Sequence, residues 1–147
     1  MFNKKRLIKS IKSHEGYSDS IYIDILGNPT IGFGHLVKKR DNLTKNKKYS
    51  KKYLNQIFEK DLTKAIKHHN KIFSKYNLPK KINEVLIEMI FQLGFKNILK
   101  FKKMLRALKK TNFKTASKEM ISSKWYTQTP KRVKKLARIV LNEHYKK

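Results

Sequence analysis

The 147-residue chain has no cysteine, one tryptophan, three prolines and five glycines, and its ten Asp and Glu stand against 37 Lys and Arg. Without cysteine there is no disulfide framework, no zinc–thiolate site and no thiol nucleophile. That fits synthesis in a reducing cytoplasm. No apolar run approaches the length of a transmembrane span. The opening MFNKKRLIKSIKSHEG is basic but lacks the apolar core of a secretory signal, so action outside the cytoplasm would need another exit. Length alone indicates one domain, or two small lobes sharing a core.

The scarcity of acid leaves a formal net charge of +27. Such a charge attracts polyanions: nucleic acid, anionic lipid, or an acidic cell wall. Compositional drift toward Lys, Ile and Asn explains the same number with solubility as its only strict consequence, and both readings stand. The charge is not evenly spread. From Ser13 to Val37 there is no Lys or Arg, where a proportional share would place roughly six. Glu15, Asp19 and Asp24 sit there instead, with four of the five glycines.

Residues 3–13 read as an amphipathic helix through Leu7, Ile8 and Ile11, ended by Gly16. Ser20–Asp24 and Pro29–Phe33 read as two short strands around a Leu26-Gly27-Asn28 turn. Lys38–Lys52, with eight basic residues and one acid, reads as a solvated connection. Tyr53, Leu54, Ile57, Phe58, Leu62, Ala65 and Ile66 keep helical spacing, with Ser50 as N-cap, to about Ser74. Beyond Pro79 the pattern is helical: one helix through Ile82–Leu93 stopped at Gly94, one through Ile98–Leu108, one through Phe113–Ile121. A last helix is opened by Thr129 as N-cap and Pro130 at the first helical position. The expected fold is α+β, mainly α, with a small β-hairpin or sheet lobe (15–49), a long connecting helix (50–74) and a helical lobe (75–147). The N-terminal helix (1–14) is expected to pack with the helical lobe.

Glu15 closes the first helix, Asp24 ends the first strand, and Thr30 lies across the turn. Two carboxylates and a hydroxyl are what glycoside hydrolysis requires: one acid donates a proton to the leaving oxygen, the other stays ionised and handles water. By spacing alone, two surface acids nine residues apart are the ordinary reading. His35 reads as a metal ligand, a base, or a histidine bonded to an acid, the last being favoured. His68 and His69 are adjacent on a helix and form no i,i+4 metal pair. Trp125-Tyr126 reads as a sugar platform or as core.

Taken together, Glu15-Gly16, Tyr22-x-Asp24 and Gly27-x-x-Thr30-Ile31-Gly32-x-Gly34-His35 resemble, in order and spacing, the active-site signature of the phage lysozymes of glycoside hydrolase family 24. Ile87–Gly94 resembles that family's cleft-lining helix, and Ser123–Arg132 its late Trp-Tyr…Gln-Thr-Pro…Arg segment. The three segments span nearly the whole chain. The resemblance implies a lysozyme-like fold and a muramidase that cuts the β-1,4 bond between N-acetylmuramic acid and N-acetylglucosamine with inversion. It implies no cofactor and no metal. By resemblance Glu15 is the general acid, and Asp24, helped by Thr30, activates water. Leu36, Phe91 and Gln92 line the glycan cleft. His35, Asp61 and Arg132 support the site, His35 paired with Asp61 and Arg132 approaching the catalytic Glu. The carboxyls should stand about 6.5–9.5 Å apart.

The family's partner is the peptidoglycan strand, met by a monomer with no specific nucleic-acid contact. As a phage endolysin it would wait in the host cytoplasm for a holin-dependent release to the periplasmic wall; a tail-associated role is the alternative, disfavoured by the lack of a tail-binding module. Membrane disruption by the basic amphipathic segment Lys131–Lys147 is a second class of function, and nonspecific nucleic-acid binding a third. Three departures bear on substrate preference: His14 before Glu15, Glu88 on the cleft helix, and a short segment between His35 and Asp61.

Overall fold

The computed structural model describes residues 1–146. Its elements, in chain order, are α1 (Lys4–Glu15), β1 (Ser18–Ile23), β2 (Pro29–Gly32), β3 (His35–Leu36), a 3-10 turn (Lys39–Asp41), α2 (Lys51–Phe73), α3 (Lys80–Leu93), α4 (Phe95–Ile98), α5 (Lys102–Lys109), α6 (Phe113–Ile121), α7 (Lys124–Gln128) and α8 (Pro130–His144). The fold is α+β and mainly α, of the lysozyme-like kind. The chain divides into two compact units: Ile8–Lys64, and Met1–Leu7 with the chain from Ala65 onward. The boundaries fall inside α1 and α2, not at their ends.

The Ile8–Lys64 unit is built on a three-stranded antiparallel sheet in the order β1-β2-β3. Ile23 pairs with Pro29, Tyr22 with Thr30, Thr30 with Leu36 and Ile31 with His35. The first strand begins two residues earlier than its hydrophobic pattern suggests, and an irregularity lies between Ser18 and Tyr22. β3 has only two residues, too few for a period-2 pattern to announce it. Beneath the sheet Ile11, Ile31, Phe33, Leu54, Phe58 and Leu62 are buried. Lys12 lays its ammonium 4.5 Å from the Phe33 ring centre and donates to Asn55 Oδ1 at 2.8 Å. Its aliphatic stem and charge are thus both accommodated at the edge of an apolar cluster.

In the other unit α3 is the central helix. Every residue from Ile82 to Ile90 is buried, so it has no polar face and its polar side chains need partners. Each finds one on a different segment. Asn83 Oδ1 accepts from His69 Nε2 on α2 (2.9 Å), while its amide donates to the Met1 and Leu78 carbonyls. Glu84 accepts from Arg6 Nε and Nη2, both at 2.7 Å, and from the Asn3 backbone. Glu88 accepts from Arg132 Nε on α8 at 2.9 Å.

One helical expectation needs correction, and a second is met without its side-chain bond. The stretch Ile98–Leu108 is not one helix: the chain breaks between α4 and α5, and Phe101 sits at φ −78°, ψ 58° as the N-cap of α5. Thr129 is the N-cap residue of α8 with Pro130 at its start, as expected, but its side chain makes no capping bond. Its hydroxyl instead accepts from Gln92 Nε2 at 3.2 Å, leaving the N-terminus of α8 to Pro130, which has no N–H to satisfy.

Candidate active site

Glu15 is the last residue of α1, and Gly16, at φ +71°, turns the chain away while its N–H still reaches the Lys12 carbonyl. The Glu15 carboxylate rests on Gly34, in the two-residue link between β2 and β3. A Cβ at Gly34 would lie 2.5 Å from Glu15 Oε1 and 2.8 Å from its carboxyl carbon. Gly34 also holds φ +82°. The glycine is therefore required twice, by its backbone and by the carboxylate above it.

Asp24 follows β1 and organises the hairpin turn. Its Oδ1 accepts from the Leu26 and Asn28 N–H groups at 2.9 and 2.8 Å, and its own N–H donates to the Asn28 carbonyl. One carboxylate oxygen is committed to the turn, which fixes the direction of the other. Thr30 is buried, and its hydroxyl donates to the Asn28 carbonyl at 3.0 Å. With its proton so engaged, the Thr30 oxygen keeps its lone pairs for a donor such as water.

Tyr22, the cross-strand partner of Thr30, belongs to the signature but was assigned no role from sequence. Its phenol is pushed above the ordinary tyrosine value by burial first, then by the negative charges of Glu15 and Asp24. The two carboxylates therefore act on one hydroxyl. Leu36, paired with Thr30 from the other side, stands on the same sheet face and is exposed.

His35 lies between two acids. Nδ1 is 2.7 Å from Asp61 Oδ2 and Nε2 is 2.9 Å from Asp41 Oδ2. The His35 pKa is raised, chiefly by the Asp61 hydrogen bond; burial opposes this and Asp41 reinforces it. Burial would raise Asp41, but His35 and the Lys38 N–H (2.7 Å) outweigh it and hold its pKa low. Both ring nitrogens face carboxylates, so the metal-ligand reading of His35 has no support. No cluster of His, Asp and Glu suited to a metal occurs among the described residues. Sequence reasoning missed Asp41; its signal was being the one acid in the basic stretch Lys38–Lys52.

Phe91, Gln92 and Arg132 belong to the other unit. Phe91 and Gln92 are half-buried near the end of α3. Gln92 Oε1 accepts from Trp125 Nε1 at 2.8 Å and its amide nitrogen serves Thr129. Trp125 is buried and meets Phe101 edge-on, with ring centres 6.1 Å apart, so it is core and not a sugar platform. Arg132 is buried with Glu88.

An acid at a helix end, a second acid locked by a turn and a hydroxyl with open lone pairs are the equipment of acid–base hydrolysis at an acetal. Comparison with known proteins agrees: the chain belongs to the phage lysozyme family, whose model matches residues 12–140. That membership makes it a peptidoglycan hydrolase in the general sense. It is 32% identical over 145 residues to "Probable T4-type lysozyme 2" of Dictyostelium discoideum, covering 83% of this chain and 85% of the relative. It is 31% identical to "Probable T4-type lysozyme 1" of the same organism, over 88% of this chain and 90% of the relative. It is also 31% identical to "Pre-baseplate central spike protein Gp5" of Enterobacteria phage T4, over 92% of this chain but only 27% of that longer protein.

Proposed function

We propose that the chain is an N-acetylmuramidase that cleaves the β-1,4 bond between N-acetylmuramic acid and N-acetylglucosamine with inversion. The observation that carries the reading is Asp24, with one oxygen tied to Leu26 and Asn28 and Thr30 bonded to the same Asn28. A carboxylate so held can receive a proton from a water that the Thr30 oxygen orients. Glu15 gives its proton to the glycosidic oxygen as the bond to the anomeric carbon breaks. The water attacks that carbon from the opposite face, and Asp24 takes its proton. Leu36, Phe91 and Gln92 are assigned to glycan contact, and His35, Asp61 and Arg132 to support of the site.

The test is release of reducing ends from purified peptidoglycan by the wild type and by Glu15→Gln and Asp24→Asn. Each variant should lose about 10²–10⁴-fold, the usual share of a general acid or base, while keeping its melting temperature. NMR of the fresh product should show the α-anomer first; the β-anomer would replace inversion by retention. The cellular role we assign is a phage endolysin released from the host cytoplasm through a holin lesion. Expression in a bacterium with and without a holin checks it: lysis should require both. The spike-protein relative keeps a virion role as the alternative, and finding the chain in purified particles would favour it.

A further inference from the structure

We infer that the β-hairpin carries an interfacial anchor for anionic lipid, on the sheet face opposite Thr30. The strand registers define the two faces. Tyr22, Thr30 and Leu36 share one; Ile23 and Pro29 pair on the other, joined by Val37, whose N–H donates to the Pro29 carbonyl. On this second side runs an open groove of about 520 Å³ lined by the apolar Ile21, Pro29, Val37 and Leu43 and by the polar Asn42 and Thr44. Lys38, Lys39 and Lys45 line it as well. Next to it, at the hairpin end, Ile23, Ile25 and Leu26 are 58%, 84% and 63% exposed.

Three large aliphatic side chains at one turn are more than scattered surface apolarity. Nor is the turn a slack loop: Asp24 Oδ1 clamps the Leu26 and Asn28 N–H groups, and Gly27 holds φ +84°. The hairpin thus presents a fixed apolar turn beside a groove whose lining combines aliphatic side chains with lysines.

Two kinds of occupant fit only half of this surface. A hydrophilic polyanion, such as a phosphodiester wall polymer or a nucleic acid, would satisfy the lysines and leave Ile25 and Leu26 in water. A neutral apolar partner would bury the turn and leave the lysines without counter-charge. A bilayer rich in anionic lipid satisfies both, because its acyl boundary takes the turn and its phosphates take the ammonium groups. The inference does not depend on the muramidase reading, since lipid binding is measured without hydrolysis.

The experiment is co-sedimentation of the full chain with vesicles of phosphatidylglycerol and phosphatidylcholine in equal parts, against phosphatidylcholine alone. The wild type should sediment with the anionic vesicles only. The double variant I25S/L26S leaves the net charge unchanged and should weaken binding about tenfold or more, given two aliphatic side chains no longer inserted. The triple variant K38Q/K39Q/K45Q should weaken it more than K131Q/K134Q/K135Q, which removes the same charge from α8. Wild-type affinity in I25S/L26S, or equal losses in the two triples, would overturn the anchor in favour of diffuse charge. Leu26→Trp gives a readout with little demand on folding: its emission should shift to the blue on anionic vesicles and stay put with a soluble teichoic acid. No shift on vesicles, or the same shift with the polymer, would also overturn it.

Discussion

A methyl group on Gly34 would meet the Glu15 carboxylate at 2.5 Å and would also have to be carried at φ +82°. Gly94 has a similar φ of +89° with open space around its Cβ position. Alanine at either site brings backbone strain of about 1–3 kcal/mol, but only Gly34→Ala also displaces the carboxylate that we propose as the general acid. It should lower the rate about 10²-fold, the usual cost of misplacing a group by an ångström, whereas Gly94→Ala should change melting temperature alone. Comparing rate and melting curves of the two variants checks this.

The histidines make opposite contributions. His35 has a raised pKa in the fold, so its stabilisation is complete below its unfolded value of about 6.5 and fades as pH rises through the folded value. Asp41, held low, contributes above its unfolded value of about 3.9 and is lost as pH falls through its folded value. The Asp61–His35–Asp41 cluster is thus strongest between about pH 4 and 6.5. His69 is depressed, mainly by burial, against its bonds to Asn70 and Asn83. It therefore destabilises as pH falls below about 6.5. His35→Asn should cost about 2 kcal/mol at pH 5.5, as for charge-assisted hydrogen bonds, and less at pH 8.5. His69→Gln should make stability fall less between pH 8 and 5 than in the wild type. Denaturant titrations across that range read both.

At the scale of elements, α3 is organised by its few polar residues. A helix buried all round could rotate about its axis without losing apolar area, but Asn83, Glu84 and Glu88 meet partners on α2, the N-terminal segment and α8 respectively, which fixes its rotation. The Glu88–Arg132 pair is the most deeply buried ion pair described, at 1% and 6% side-chain exposure. Removing one partner breaks a hydrogen-bonded ion pair in the interior. Glu88→Ala should therefore cost about 3–5 kcal/mol, while the double variant E88M/R132M should recover most of that. Urea unfolding of the single and double variants measures the difference. The β-hairpin follows another logic: its turn is fixed by one carboxylate, so Asp24→Asn, which keeps an acceptor oxygen at that position, should leave the melting temperature within a few degrees while removing activity.

At the scale of the molecule the charge dominates. A net charge of +27 should attract the protein to an anionic wall, and salt should screen that attraction as the Debye length falls from about 10 Å at 0.1 M to about 3 Å at 1 M. Lysis of whole walls should therefore drop steeply with salt, while turnover of a short, neutral glycan fragment should change little. Parallel assays at the two ionic strengths decide it; equal salt dependence would place the charge effect in the chemistry instead of in surface capture. No helix among the described residues is long and apolar enough to cross a membrane.

What the sequence determined by itself is what local pattern carries. The long periodic helices α2, α3 and α8, the glycine stops at Gly16 and Gly94, and the cation-free window around Glu15 and Asp24 were all legible, because periodicity, positive φ and composition are properties of neighbouring residues. The motif order also carried the family and the fold. The rest depended on residues far apart in sequence. The two-residue β3 exists because Ile31 and Thr30 offer it a partner strand. Thr129 caps α8 by position without a side-chain bond, and its hydroxyl takes the Gln92 amide from 37 positions away. Asp41 joins His35 because the 3-10 turn brings its carboxylate to Nε2 at the ring edge. Trp125 is core because Gln92 and Phe101 enclose it. Each of these is a hydrogen bond or a packing contact whose formation requires the chain to have closed on itself, so only the tertiary structure could decide it.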